Sequence, residues 1–193
     1  NTGTQMGGWF KKEIRTVADL KGLKMRIPGI GGEVMGRLGA VPQALPGGEI
    51  YAALERGVID AAEWIGPHDD EKLGLYKIAK HYYYPAFWEG STEVCVMINA
   101  AAWDKLPKHF QAAIESAAAE AHVKMQAQYD AKNPVALKSL LANGVKLHPF
   151  PKDVLRAAGK EAFALYEAEA AKNPAFKKLY EPWKKFRDQQ YEW

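Results

Sequence analysis

A chain of 193 residues with 48% apolar and 25% charged side chains is long enough for one good core or two small domains, and it is folded rather than disordered. Its net charge of +3 comes from Lys and Arg mixed with acids, apart from a short run from Lys177-Lys178 to Lys184-Lys185, so it carries no nucleic-acid footprint. A single cysteine, Cys95, excludes an intrachain disulfide and a cysteine metal cluster, and no apolar run approaches the roughly 20 residues of a membrane span.

The opening Asn1-Thr2-Gly3-Thr4-Gln5-Met6-Gly7-Gly8-Trp9 begins without Met and reads like the interior of a loop or strand, so the chain is expected to be the C-terminal part of something larger. Residues 17–20 form a short helical turn, 24–27 a strand, 33–38 a helix stopped by Gly39, and 41–45 a strand. Gly47-Gly48-Glu49 opens a helix with Ile50, Ala53 and Leu54 on one face and Gly57 at its end; 58–62 is the next strand. This alternation predicts a parallel sheet with right-handed crossovers. Beyond Pro67 a helix is predicted over 69–79, then an aromatic cluster of Tyr82, Tyr83, Tyr84, Phe87 and Trp88, then a strand over 93–99 with Cys95 as a buried, inert thiol.

From Pro107 the pattern is nearly all helical. Phe110, Ile114, Ala117, Ala121, Met125 and Tyr129 recur at helical spacing up to Asn133-Pro134, where the proline is predicted to kink or break the helix. A short strand over 145–148 follows Asn143-Gly144. Helices are then predicted over 152–171 and, after an Asn173 cap, from Pro174 to near the end, with Phe176, Leu179, Tyr180, Trp183 and Phe186 on one face as a docking or dimer stripe.

Arg26 closes an apolar strand and precedes Pro28-Gly29 and Gly31-Gly32, which leave its guanidinium room to meet a ligand. Its planar fork suits a carboxylate, and a structural salt bridge at the strand end is the equally weighted alternative. Glu63 and Trp64 leave a strand before Gly66-Pro67, and Glu89 follows Phe87-Trp88. Two carboxylates drawn into one pocket need a cation, a proton or an arginine, whereas two separate solvated loop acids need nothing. His68-Asp69-Asp70-Glu71 reads as acids complementing a helix N-terminus. His81, His109, His122 and His148 have no ligand spacing and are assigned surface or packing roles. No glycine pattern completes a phosphate loop, and Ser91, Ser116 and Ser139 lie outside any nucleophile elbow, so the case for an enzyme is weak.

Three segments resemble the periplasmic solute-binding subunits of TRAP transporters, the DctP family: Asp19-Leu20-Lys21-Gly22-Leu23-Lys24-Met25-Arg26, Leu38-Gly39-Ala40-Val41-Pro42, and Ala52 through Glu63. Gln5-Met6-Gly7-Gly8-Trp9-Phe10, Glu63-Trp64-Ile65-Gly66-Pro67, Tyr82-Tyr83-Tyr84-Pro85 and Lys132-Asn133-Pro134 are similar to the branch that binds 2-oxo or 2-hydroxy acids such as pyruvate or lactate with a metal ion. The resemblance implies an α/β, periplasmic-binding-protein type II-like two-lobed fold with long C-terminal helices, most of the N-terminal lobe lying outside this chain. It implies residues 1–64 as an α/β lobe with parallel strands, 65–106 as a hinge and strands of the other lobe, and 107–193 as helices packing across both lobes.

It also implies that Arg26 chelates the substrate carboxylate, that Gln5 contacts substrate and cation, and that Glu63, Trp64 and Glu89 complete a site for Na⁺ or Ca²⁺, with no organic cofactor. Oxygen ligands suit those cations. Cys95 departs from the family, which often carries an acid there; Glu89 rather than Glu93 is taken as the ligand. The implied protein is a periplasmic receptor, its signal peptide expected upstream, that catalyses nothing, delivers ligand to a TRAP membrane permease and dimerises through its C-terminal helix. The rival readings are a metal-assisted lyase or hydrolase using Glu63 and Glu89, and a sensory or scaffold module that has lost its ligand.

Overall fold

The computed structural model describes residues 1–192. Six short strands form one sheet: β1 Gly8–Phe10, β2 Lys24–Arg26, β3 Val41–Gln43, β4 Ala61–Ala62, β5 His81–Tyr84 and β6 Lys146–Pro149, in the spatial order β3-β2-β4-β1-β5-β6. The predicted parallel pairing is present, since β2 runs parallel to both β3 and β4; β5 runs parallel to β6. β1 joins the two parallel groups by pairing antiparallel with β4 on one side and β5 on the other. The chain entering β1 therefore lies at the same end of the sheet as the chain leaving β2, β4 and β5. Gly8 at that entry has φ +95, and a Cβ there would stand 2.6 Å from the Ala62 carbonyl oxygen, so only glycine admits the close approach of β1 to β4.

Successive strand residues point to opposite faces, and helices cover both. Phe10, Met25, Ala61 and Tyr83 face one layer with Met35, Phe150, Val154 and Ala158, where α1 Gly29–Arg37 packs against α6 Lys152–Lys172. Trp9, Ala62 and Tyr82 face the other with Ile50, Leu54, Leu75 and Leu140, beneath α2 Ile50–Glu55 and the C-terminal part of the 35-residue α5 Lys108–Ala142. β5 contributes to this same sheet, which thus extends past residue 64.

Several predicted elements need correction. The helix over 69–79 is α3 Pro67–Leu73 followed by a 3-10 turn, Leu75–Lys77, because Gly74 adopts φ 71 and ends the α-helix. Pro134 lies inside α5 and does not break it: in the turn just before it Tyr129 donates to Asp69 (2.6 Å) and His68 N donates to the Asn133 side chain (3.1 Å), holding this part of α5 against α3. Residues 93–99 form no strand. They have no regular secondary structure and no ladder partner among the described residues, with Val94, Val96 and Met97 exposed, and Cys95 is exposed rather than buried. A β-prone composition becomes a strand only where a neighbouring backbone takes up its hydrogen bonds. Two further helices complete the chain, α4 Ala100–Lys105 and α7 Pro174–Gln190; Asn173 caps α7 by accepting from Ala175 N and Phe176 N, as predicted.

Candidate functional site

Arg26, the last residue of β2, is 9% exposed and held on three sides. Its Nε donates to the Leu45 carbonyl (3.1 Å), its Nη1 donates to the Glu63 carbonyl (3.1 Å) and pairs with the Glu63 carboxylate, and the Trp64 ring lies 5.1 Å from its guanidinium carbon. Among the described residues Nη2 makes no hydrogen bond, so half of the guanidinium fork remains open. The strand-end salt bridge weighed from the sequence is thus made, and it leaves donor capacity for a carboxylate. Gly47 leaves room for the Trp64 indole: a Cβ there would stand 2.5 Å from Cη2 of Trp64.

Glu63 leaves β4 nearly buried. Desolvation pushes its carboxyl up from 4.5 to about 7, Arg26 pulls it back, and Glu89 and Asp70 push it further up. Glu89 itself is exposed, and with Glu63 it lines a cleft of about 370 Å³ whose walls also include Ile27, Pro28, Gly31 and Trp88. Gln5, on the segment entering β1, is 1% exposed. Its Nε2 donates to the hydroxyls of Thr2 and Thr92, whereas its Oε1 is buried without a donor.

Glu63 and Glu89 share this cleft, and these carboxylates, the unpartnered Gln5 amide oxygen and the Trp64 carbonyl two residues beyond β4 are all donor types that a hard cation takes. Among the described residues no three His, Cys, Asp or Glu side chains gather as metal ligands, so a cation here would draw on amide and carbonyl oxygens as well.

Asp70 escaped the sequence reading. Taken there as one of several acids complementing a helix, it is fully buried, accepting from Trp9 Nε1 (2.9 Å), Tyr82 hydroxyl (2.7 Å) and Ile65 N (3.1 Å). Burial raises it from 3.8 to about 6 despite these donors. It ties the stacked Trp9–Tyr82 pair of β1 and β5 to the backbone just after Trp64, and so fixes the segment that carries Glu63 and Trp64. The only sequence signal for it was an acid at the start of α3 with two aromatic residues elsewhere to donate to it.

The C-terminal aromatic face is present as a second, apolar groove of about 420 Å³ lined by Ile30, Tyr166, Phe176, Leu179, Tyr180 and Trp183. Phe186 is exposed outside that lining. His109 and His122 stay apart from the cleft, whereas His81 and His148, assigned surface or packing roles from the sequence, meet across β5 and β6 at 3.0 Å.

The family model of bacterial extracellular solute-binding proteins, family 7 (DctP), matches residues 1–173. This chain belongs to the DctP family. A monocarboxylate 2-oxoacid-binding periplasmic protein of Nostoc sp. is 57% identical over 193 residues, which is 100% of this chain and 53% of the relative. A TRAP transporter solute-binding protein from Bordetella bronchiseptica, solved with copurified calcium and picolinate, is 53% identical with a TM-score of 0.97 over 100% of this chain and 57% of its own. One from Pseudoalteromonas atlantica, solved with sodium and pyruvate, is 43% identical with a TM-score of 0.84 over 98% of this chain and 61% of its own. The chain thus spans little more than half the length of these proteins. The likeness establishes the two-layer-covered α/β fold of periplasmic binding proteins for the DctP chain.

Proposed function

We propose that this chain is the larger part of an extracytoplasmic receptor that binds a small 2-oxo or 2-hydroxy monocarboxylate together with Ca²⁺ or Na⁺ and hands it to a TRAP permease. The observation that carries this reading is Arg26 at the end of β2, with an open guanidinium edge, paired with Glu63, which lines one cleft together with Glu89. In this reading Arg26 grips the ligand carboxylate; Gln5 Oε1, the Trp64 carbonyl, Glu63 and Glu89 hold the cation; and Trp64 caps the short carbon chain.

Charge balance supports it. Arg26 supplies one positive charge against the negative charges of Glu63, Glu89 and the ligand, so a divalent cation brings neutrality and a monovalent one leaves a single negative charge. The bound cation would draw Glu63 off Arg26, freeing Nη1 for the ligand carboxylate. Closure of a second lobe would exclude water and strengthen both contacts.

Domain organisation follows the same reading: residues 1–64 belong to one lobe, 65–106 include the crossing to the other, and 107–193 pack across both. The apolar segment 93–99 then pairs with a strand of the other lobe, which accounts for its exposed Val94, Val96 and Met97. The described helices include none long and apolar enough to cross a membrane, and a periplasmic location with export by a signal peptide accords with the family. The apolar groove between α6 and α7 suits a homodimer contact.

Calorimetry on the complete protein tests the core of this reading. Pyruvate binds in calcium or sodium and is lost after chelation in sodium-free buffer; equal affinity in both conditions removes the cation, and a turnover product in the mass spectrum restores the lyase or hydrolase.

A further inference from the structure

We infer that His81 and His148 form a binding site for one first-row transition-metal ion of the zinc, nickel or copper class, separate from the carboxylate cleft. His81 opens β5 and His148 lies in β6, and parallel pairing of these strands in the register Tyr83↔His148 places both rings on the face that carries Tyr83 and Phe150. The rings continue an aromatic row outward from the core: Phe150 to Tyr83 at 4.8 Å, Tyr83 to His148 at 5.0 Å and His148 to His81 at 5.1 Å between centroids. The row fixes His148 from one side, so little side-chain freedom is left to lose on binding.

His81 Nδ1 and His148 Nε2 stand 3.0 Å apart, and among the described residues these two atoms hydrogen-bond to each other alone. With metal–nitrogen bonds of about 2.0–2.1 Å, two imidazole nitrogens in adjacent coordination positions lie about 3 Å apart, so a metal can replace the bridging proton with small ring rotations. That proton moves to the outer nitrogen of its own ring, giving two inward lone pairs without change of net charge. Both rings are half-buried, leaving the remaining coordination positions to water. The titratable and charged groups facing the pair are Lys146 on β6, which sits opposite His81, the Tyr83 hydroxyl, and Glu13 with its partner Arg15 on the loop after β1. Burial, His148 and Lys146 hold His81 below the usual imidazole range. Imidazole selects this metal class, whereas the oxygen set around Glu63 selects calcium or sodium.

The test is a zinc titration of the 193-residue chain at pH 7.5 in excess calcium, followed by calorimetry and by imidazole ¹⁵N NMR. One equivalent of zinc binds, and the signals of His81 Nδ1 and His148 Nε2 move together. In His81→Gln and in His148→Phe, which keeps a ring against Tyr83, affinity falls at least tenfold. Unchanged affinity in both variants overturns the site, as does a zinc response confined to His68, His109 or His122. Should either variant fail to fold, the wild-type spectrum decides alone: immobile inner nitrogens at saturating zinc refute the assignment.

Discussion

Replacing Glu63 by Gln tests the electrostatics of the cleft most directly. A carboxyl raised from 4.5 to about 7 by burial holds its proton more tightly in the folded chain. Its stabilising contribution is therefore complete below about pH 4.5 and lost as pH climbs through about 7. At about 1.4 kcal/mol for each tenfold change in proton affinity, the loss amounts to about 3 kcal/mol, most of it between pH 5 and 8. Glu63 is 5% exposed, so solvent screening offsets little of this. Urea unfolding of wild type and Glu63→Gln at pH 5, 6, 7 and 8 without divalent ions reads it out. Wild-type stability falls by about 2–3 kcal/mol more than that of the variant across the series, and contributions from groups not coupled to Glu63 cancel in the difference. Because a cation requires the ionised form, calcium stabilises the wild type more at pH 8 than at pH 5 and has little effect on the variant. Parallel pH profiles for the two proteins would refute the account of Glu63 as a desolvated carboxylate.

Arg26→Lys in the complete protein removes the planar fork and weakens pyruvate binding by at least about 2 kcal/mol, or about 30-fold, by calorimetry; an unchanged constant shows that the carboxylate sits elsewhere. Asp70→Asn places an amide before the Trp9, Tyr82 and Ile65 donors and lowers unfolding free energy by about 2–3 kcal/mol, and a variant as stable as wild type means the three hydrogen bonds contribute no net stability. Gly47→Ala sets a methyl group 2.5 Å from Trp64 Cη2, so the indole swings off Arg26 and ligand affinity drops about tenfold while the circular dichroism is retained. Native affinity in that variant separates Trp64 from binding.

The parallel core was legible because its cause is local. Apolar runs at residues 24–27 and 58–62, broken by Gly39 and Gly57, set strand and helix alternately, and Asn173 before Pro174 announced a helix start that the structure repeats. Arg26 and Glu63 could be singled out because a charge at the end of an apolar strand is conspicuous, and the parallel pairing of β2 with β4 brings the two strand ends side by side. The sequence could not say whether 93–99 would be a strand, since hydrogen bonds to a partner decide that, nor whether Pro134 would end a helix that α3 holds from the side.

Composition, spacing and motif by themselves determined the fold class, the family and the residue types available to bind a carboxylate and a hard cation. Only the tertiary structure decided which of them meet. The antiparallel insertion of β1 carries Gln5 to the strand ends that bear Arg26 and Glu63, and the buried Asp70 fixes the backbone beside Trp64. It likewise brings His81 to His148 across 67 residues of chain. Such encounters depend on strand order and register, which no local pattern of residues encodes.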